Sequence, residues 1–441
     1  MSAYSIATRG LAGRKIPQGT LTPIGTLLFS GSEPGAWYDP SDMSTLWQHS
    51  AGTVPVTAVE QPVGRMLDKS GRGNHATQAT TTKRPVLSRR VNLLTNTETP
   101  NSSSTGVVIT TSGDFSSLKE STGSSTHGLA QTVSVVTGVE YVVSCRAKRG
   151  EGTRNLTLNI AGGAPGAIYN FDSGVSVALG PAVSKSSKMK LQPDGDFYCE
   201  LRFVSSSTYA TSARFLMARN KITNNTNDVY VGDGTSSILI KQIDFRLATD
   251  ANLPYQRVNT ATDYDADPAK FPAYRRLDGV DDSHASATGG GGTAGFFFSA
   301  AVTPQGGAGT ARTLFSDAGT NTGYIVLLNT SNQLELAAGN GTAYTTIATS
   351  GTLAVGTTDV VQAWDDGTNL NVKIGNGATA SIARPTVSAG TAGYTMGQNN
   401  GASTGYFNGR IYSTIYRKDS GLTQVQREAV ALYQRQKARM P

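Results

Sequence analysis

Apolar and polar residues alternate with a period of two over many short stretches of this chain. Such stretches run over 129–136, 141–147, 155–160, 197–204, 214–217 and 237–245, and again over 296–302, 313–316, 324–328, 334–337, 360–364 and 370–374. Side chains on a strand point to opposite faces in turn, so this pattern predicts half-buried β-strands. Phe197, Cys199, Leu201 and Phe203 share one parity, as do Tyr141, Val143 and Cys145. Asn340-Gly341, Asp366-Gly367 and Asn376-Gly377 stand between strand candidates. Each pair tolerates the left-handed angles of a two-residue hairpin turn.

The helical period occurs once, near the end. Val425, Ala429, Leu432 and Tyr433 fall on one predicted helical face, and Thr423 with Gln426 fits a capping box at its start. Nearer the beginning, Ser41-Asp42 and Ser44 are placed to cap a short helical turn through Trp47. Trp37, Tyr38, Leu46, Trp47, Val63, Met66 and Leu67 are expected in a core. Residues 1–30 have no period, yet Tyr4, Ile6, Leu11, Ile16, Leu21, Ile24, Leu27 and Phe29 give them more apolar anchors than a linker needs. They read as an extended arm that docks on a neighbour.

Composition agrees with an all-β chain. Charged residues make up 16% and glycines number 50, which suits short strands joined by tight turns. At 441 residues the chain is long enough for two or three cores. Mean hydropathy is −0.25, and no apolar run approaches the roughly 20 residues of a membrane helix. The first 20 residues carry basic side chains with no apolar stretch behind them, so a secretory signal is not expected. Net charge is +7, but the basic residues are scattered, which argues against nucleic acid and leaves anionic partners open. Cys145 and Cys199 are too few for a disulfide framework and are expected as buried thiols, with a bond between them left open.

Motifs of catalysis fail on context. Gly401-Ala402-Ser403-Thr404-Gly405 has the spacing of a nucleophile elbow, but a strand candidate follows it and the last histidine, His284, precedes it. Gly290 to Gly295 has dinucleotide-loop spacing, but Phe296-Phe297-Phe298 continues it as a strand and no helix follows. His49, His75, His127 and His284 have no metal-ligand spacing. No pair of carboxylates is marked for glycoside cleavage. No enzyme is expected, and no catalytic residue is assigned.

Two longer patterns carry a family resemblance. Asp68, Ser70, Gly71, Gly73, Asn74, Ala76 and Thr77, followed by Arg84-Pro85, fit the D-x-S-G-x-G-N-x-A-T…R-P opening of LamG-like (concanavalin A-like) jelly rolls found in phage virion proteins. The strand that should follow stands far downstream, as Leu277-Asp278-Gly279-Val280-Asp281-Asp282, and 406–412 resembles the closing strand of such domains. Between them, Val91-Asn92-Leu93-Leu94, the 141–150 strand and Leu253-Pro254-Tyr255 resemble a carbohydrate-binding-module-like jelly roll. Asp196-Phe197-Tyr198-Cys199 stands where that family has G-W-Y-R, so Phe197 replaces the tryptophan and Cys199 the basic residue.

The resemblance implies two antiparallel β-sandwiches, one interrupted by the other: an arm over 1–30, a split jelly roll over 31–90 and 264–441, and an inserted sandwich over 91–263. It implies a tailed-phage tail-fibre, tail-tip or decoration protein in the virion, with other virion proteins held through the arm. The partner outside would be a host surface glycan or lipopolysaccharide, and the state a homo-oligomer such as a trimer. Readings without a sugar site, or as a polysaccharide depolymerase, are the alternatives. Tyr169, Phe171, Tyr209, Tyr230, Tyr344 and Tyr394 are the candidate sugar contacts. Asp278, Asp281 and Asp282 bring hard oxygen ligands together and are a candidate Ca²⁺ site, Ca²⁺ being the one cofactor expected, though in this family the segment mostly serves as strand and turn.

Overall fold

A computed structural model describes residues 23–441, except 101–103, 162–164, 180–183, 220–227, 308, 401–403 and 420, and the side chains of Ser112, Ser184 and Lys185. Most of the first 30 residues, and Gly401, Ala402 and Ser403 of the Gly401–Gly405 motif, therefore lie outside the described residues. The chain is almost wholly β, as its alternation predicts. Among the described residues, two antiparallel β-sandwiches account for the four large sheets, Ser124–Ser125 pairs with Tyr230–Val231 as a small fifth, and there are two α-helices: α1 (Ile24–Phe29) and α2 (Gln424–Lys437). Neither helix is long and apolar enough to cross a membrane.

The first sandwich is assembled from both ends of the sequence. In one sheet the strands run Ala380–Ala383, Asn369–Ile374, Asp359–Asp365, Phe296–Pro304, Asn408–Arg417, Tyr274–Asp278 and Val86–Ser88, with Gly35–Tyr38 also paired to Asn408–Arg417. Ser88 stands opposite Tyr274, and Tyr38 opposite Thr414. The facing sheet runs from Leu46–Trp47 through Arg65–Met66, Ala76–Thr77, His284–Ser286, Tyr394–Met396, Arg312–Ser316, Thr322–Leu328 and Leu334–Asn340 to Tyr344–Ala348. Phe296, Phe298, Phe315, Tyr324, Tyr394 and Tyr416 pack between the sheets as one aromatic cluster. The turn residues act as expected at two of three places. Gly341 and Gly367 take φ of +92° and +86° in their hairpins. After Ile374 the left-handed residue is Gly375, not Asn376-Gly377.

Three local expectations are corrected. The turn after Asp42 is a 3₁₀ turn over Met43–Thr45 that ends at once in strand Leu46–Trp47, and Asp42 does not cap it. Its carboxylate is taken instead by Ser44 and Lys69. The end of the expected arm is not extended: α1 buries Ile24, Leu28 and Phe29 beside Trp364 and Val430. The capping box of α2 is present, with Thr423 Oγ1 accepting from Gln426 N at 3.3 Å and Gln426 Oε1 from Thr423 N at 2.9 Å. Its buried face, however, carries Val430 and Gln434, while Val425 is 61% exposed. Gln434 reaches under the helix to donate to the Ser299 carbonyl at 3.2 Å, so a polar residue holds part of the apolar seam.

The second sandwich uses residues 104–247. One six-stranded sheet orders Val175–Leu179, Gly166–Asn170, Asn155–Ile160, Tyr209–Ala218, His127–Val135 and Ser104–Thr105. The other orders Ser184–Leu191, Phe197–Val204, Glu140–Arg149, Ser237–Leu247, Phe115–Glu120 and Val107–Ser112. The alternation is obeyed closely: Phe203, Leu201, Cys199, Tyr141, Val143 and Cys145 all point into the core. Cys145 and Cys199 face each other across paired strands, both buried and both free thiols. The two sandwiches meet at a buried ion pair, Arg410 Nη1 to Asp250 Oδ2 at 2.7 Å.

Candidate functional site

The parity that sends Cys199 and Leu201 inward sends Tyr198, Glu200 and Arg202 outward. The same rule turns Val142, Ser144 and Arg146 outward on the neighbouring strand. The register places Arg146 opposite Tyr198 and Ser144 opposite Glu200. On the other side, Ser144 faces Asp244 and Val142 faces Arg246. These residues, with Gln192, Gln242, Leu253 and Tyr255, line a cleft of about 290 Å³ on the outer face of the second sandwich. That is at the lower end of small-molecule sites, about 300–1,000 Å³.

A bulge shapes the cleft. The pairing of Glu140–Arg149 with Ser237–Leu247 shifts between Ser144 and Arg146, which adds one residue to the Ser237–Leu247 strand. At that place Gln242 adopts φ of +53°, a left-handed backbone inside a strand that a residue with a Cβ rarely takes. Extra residues of this kind re-aim a side chain away from the strict alternation. Here Gln242 joins the cleft lining.

Ion pairs make the floor and rim. Arg246 holds Asp244 through Nε at 2.8 Å and through Nη2. Its Nη1 donates to the carbonyls of Asp250 (3.2 Å), Leu253 (3.0 Å) and Pro254 (3.2 Å), which fixes the segment that closes one side. Burial pushes the Asp244 carboxyl up, against the pull of Arg246. Arg146 donates from Nε to Asp196 at 2.8 Å and pairs through Nη2 with both Asp194 and Asp196. Glu200 accepts from Tyr198 Oη at 2.7 Å and from Arg202 Nε at 3.1 Å. Burial first and Glu200 second push the Tyr198 hydroxyl up, so it is a neutral phenol. Tyr255 donates to Thr97 Oγ1 at 2.6 Å, which steadies its ring in the wall. Two phenol rings, two amides, a serine hydroxyl and two carboxylates thus meet in one small depression.

None of the six expected sugar contacts lines this cleft. Tyr169, Tyr230 and Tyr394 are only 0%, 5% and 1% exposed, so no ring face is open for stacking, and those three expectations are corrected. Tyr230 is clasped between the guanidinium groups of Arg154 and Arg219, each 5.1 Å from its ring, and donates to Glu120 at 2.9 Å. Phe171 packs half-buried on Phe197, 5.9 Å between ring centres. Tyr209 and Tyr344 are half-buried, with hydroxyls given to the carbonyls of Ala161 (3.1 Å) and Gly319 (2.7 Å). The residues that do line the cleft were marked in the sequence only by parity and by the motif positions of Arg146, Tyr198 and Tyr255.

The carboxylate oxygens of Asp278, Asp281 and Asp282 lie within 4.8 Å of one another. Asp278 Oδ1 already accepts from the backbone of Val280 (2.8 Å) and Asp281 (3.3 Å), and Asp282 Oδ2 from that of Asp278 (3.0 Å). The cluster thus spends part of its acceptor capacity on building its own turn. Burial, with Asp278 beside it, pushes Asp282 up to about 6.

No family model matches this chain, and no curated protein sequence matches it. Among solved structures it is similar to the sialidase module CBM40 of Ruminococcus gnavus, bound to α2,3-sialyllactose, at 12% identity and TM-score 0.28, over 32% of this chain and 83% of that one. It is similar to domains LG4-5 of the mouse laminin α1 chain at 11% identity and TM-score 0.29, over 65% of this chain and 85% of that one. The carbohydrate-binding module CBM66 of Bacillus subtilis is similar at 11% identity and TM-score 0.22, over 33% of this chain and 83% of that one. The likeness concerns β-sandwich architecture and identifies no ligand.

Proposed function

We propose that this chain is a glycan-binding protein, with its sugar site in the cleft between Arg146, Tyr198, Glu200, Gln242, Asp244 and Tyr255. The observation that carries the reading is the bulge at Gln242, where a left-handed glutamine adds an amide to a face already furnished with phenol rings and carboxylates. Amides and carboxylates match sugar hydroxyls, and tyrosine rings match the CH faces of pyranoses. Binding without cleavage is favoured by the ties of both carboxylates to arginines of the same sheet, Glu200 to Arg202 and Asp244 to Arg246.

The setting we propose is the surface of a phage particle, as a tail or decoration component present in several copies. The support for it is the Asp68–Thr77 segment with Arg84-Pro85 and the distant Leu277–Asp282 strand, which together resemble virion LamG-like domains. Many copies would turn weak single sites into firm attachment.

A glycan microarray tests the site. The full chain is expected to bind a defined set of glycans, and Tyr198→Ala to lose that binding while keeping the unfolding transition of the parent. Unchanged binding by Tyr198→Ala would place the site elsewhere. Peptides of this chain in purified particles would test the setting.

A further inference from the structure

We infer, resting on the glycan-binding reading, that the ligand is an extended oligosaccharide chain, not a single sugar, and that it passes from the cleft into a second depression between the two sandwiches. The second depression has about 340 Å³. Arg202, Thr249 and Asn252 line it from the second sandwich, and Thr358, Arg439 and Met440 from the first sandwich and the end of α2. Ala251 and Leu253 line both hollows, so the two share a wall. Alone, each is near the lower end of small-molecule sites; together they lie well inside that range. The full site is then incomplete without the first sandwich.

Arg202 joins the hollows. Tyr198, Glu200 and Arg202 alternate onto the outer face, and Arg202 stands opposite Val142 at one end of the cleft. It lies four residues beyond Tyr198, about 13 Å at roughly 3.3 Å per residue, a span that one pyranose does not cover. Its Nε donates to Glu200, in the cleft lining, at 3.1 Å. Among the described residues Nη1 and Nη2 have no partner, and the side chain is 34% exposed. Two guanidinium nitrogens are thus left for ligand oxygens in the second hollow.

The shared wall is held in place from both sandwiches. Arg246 Nη1 donates to the carbonyls of Asp250, Leu253 and Pro254, and Arg410 holds the Asp250 carboxylate. Thr249 Oγ1 accepts from Thr358 N at 3.2 Å, which ties the same turn to the first sandwich. Asn252 Nδ2 donates to the Arg439 carbonyl at 3.2 Å, which leaves its Oδ1 to accept from a sugar hydroxyl. A wall fixed in advance needs no ordering when a long ligand arrives, so contacts to the added sugars count toward affinity.

The test titrates the full chain calorimetrically with ladders, from disaccharide to pentasaccharide, of cellulose, chitin, xylan and mannan. Affinity along a ladder that binds is expected to rise at least about tenfold from disaccharide to pentasaccharide, with a single oligosaccharide on each protein chain. Arg202→Gln is expected to cut that gain about tenfold and Asn252→Ala about threefold, as hydrogen bonds from a charged and a neutral group are lost. Both side chains reach solvent, so both variants should keep the unfolding transition of the parent. Equal affinity along a ladder would overturn this inference and leave the glycan-binding reading standing. A gain with length that neither variant touches would do the same, because the chain would then leave the cleft in another direction. Silence on all four ladders would overturn that reading, and this inference with it.

Discussion

Arg410 and Asp250 form an ion pair of 2.7 Å with side chains 1% and 5% exposed, one from the closing strand of the first sandwich and one from the turn that leaves the second. The Arg410 guanidinium also lies over the Tyr274 ring, 4.8 Å from its centre. Removing one partner would leave a buried charge uncompensated, at a cost of about 3–5 kcal/mol. Asp250→Ala is therefore expected to destabilise strongly in urea unfolding. The double replacement Asp250→Ala/Arg410→Met should recover a large part of that loss, because an apolar pair costs no charge desolvation.

His284 gives a pH dependence with a definite sign. It is fully buried, with Nε2 donating to the Val63 carbonyl at 2.9 Å and Nδ1 accepting from Arg275 at 3.2 Å. Burial, then the nearby Arg275 charge, lower it to about 3 from 6.5. The unfolded chain then binds a proton that the folded chain refuses between those values, so stability falls as pH drops from about 6.5 toward 3. The stability of the parent relative to His284→Gln should shrink across that window and stay constant above it. A difference independent of pH would show an imidazole protonated in the fold.

Cys145 and Cys199 should resist thiol reagents. Burial pushes both thiols up, so neither offers a thiolate at neutral pH. Labelling with iodoacetamide is expected to be negligible in native buffer and complete after denaturation. Fast native labelling would contradict their burial.

The face of α2 can be probed with two aspartates. Val430→Asp would bury a carboxylate beside Trp364 and Leu422 and is expected to cost several kcal/mol. Val425→Asp, at an exposed site, should stay within about 0.5 kcal/mol of the parent. A larger cost at Val425 than at Val430 would mean the helix lies on the face its sequence period suggested.

Gln242→Gly separates function from stability. Glycine accepts φ of +53° without strain, so the variant is expected to remain within about 1 kcal/mol of the parent. Glycan affinity should nevertheless drop, because the amide is gone. Loss of stability without loss of binding would sink the role given to this bulge.

Much of the fold is legible in the sequence. Alternation marked the 141–147 and 197–204 strands, and both are present with the expected inward residues. Asp366-Gly367 and the Thr423–Gln426 box were legible because turns and caps are set by residues within four positions of each other. The lining of the proposed cleft was not legible. Tyr169 and Tyr230 have the composition of a binding site, yet packing consumed both, and an aromatic ring alone does not reveal which face of a sheet it takes.

By itself the sequence determined the β character, the parity of each long strand and the tight turns, since all of these follow from local sterics and the two-residue period. Only the tertiary structure decided that Tyr198, Arg146 and Asp244 share one face, that an extra residue turns Gln242 into their cleft, and that α2 buries Val430 in place of Val425. Register and bulges are fixed by contacts between strands far apart in sequence, such as 140–149 with 237–247. Those contacts are chosen by the packing of the whole sandwich, which no short stretch encodes.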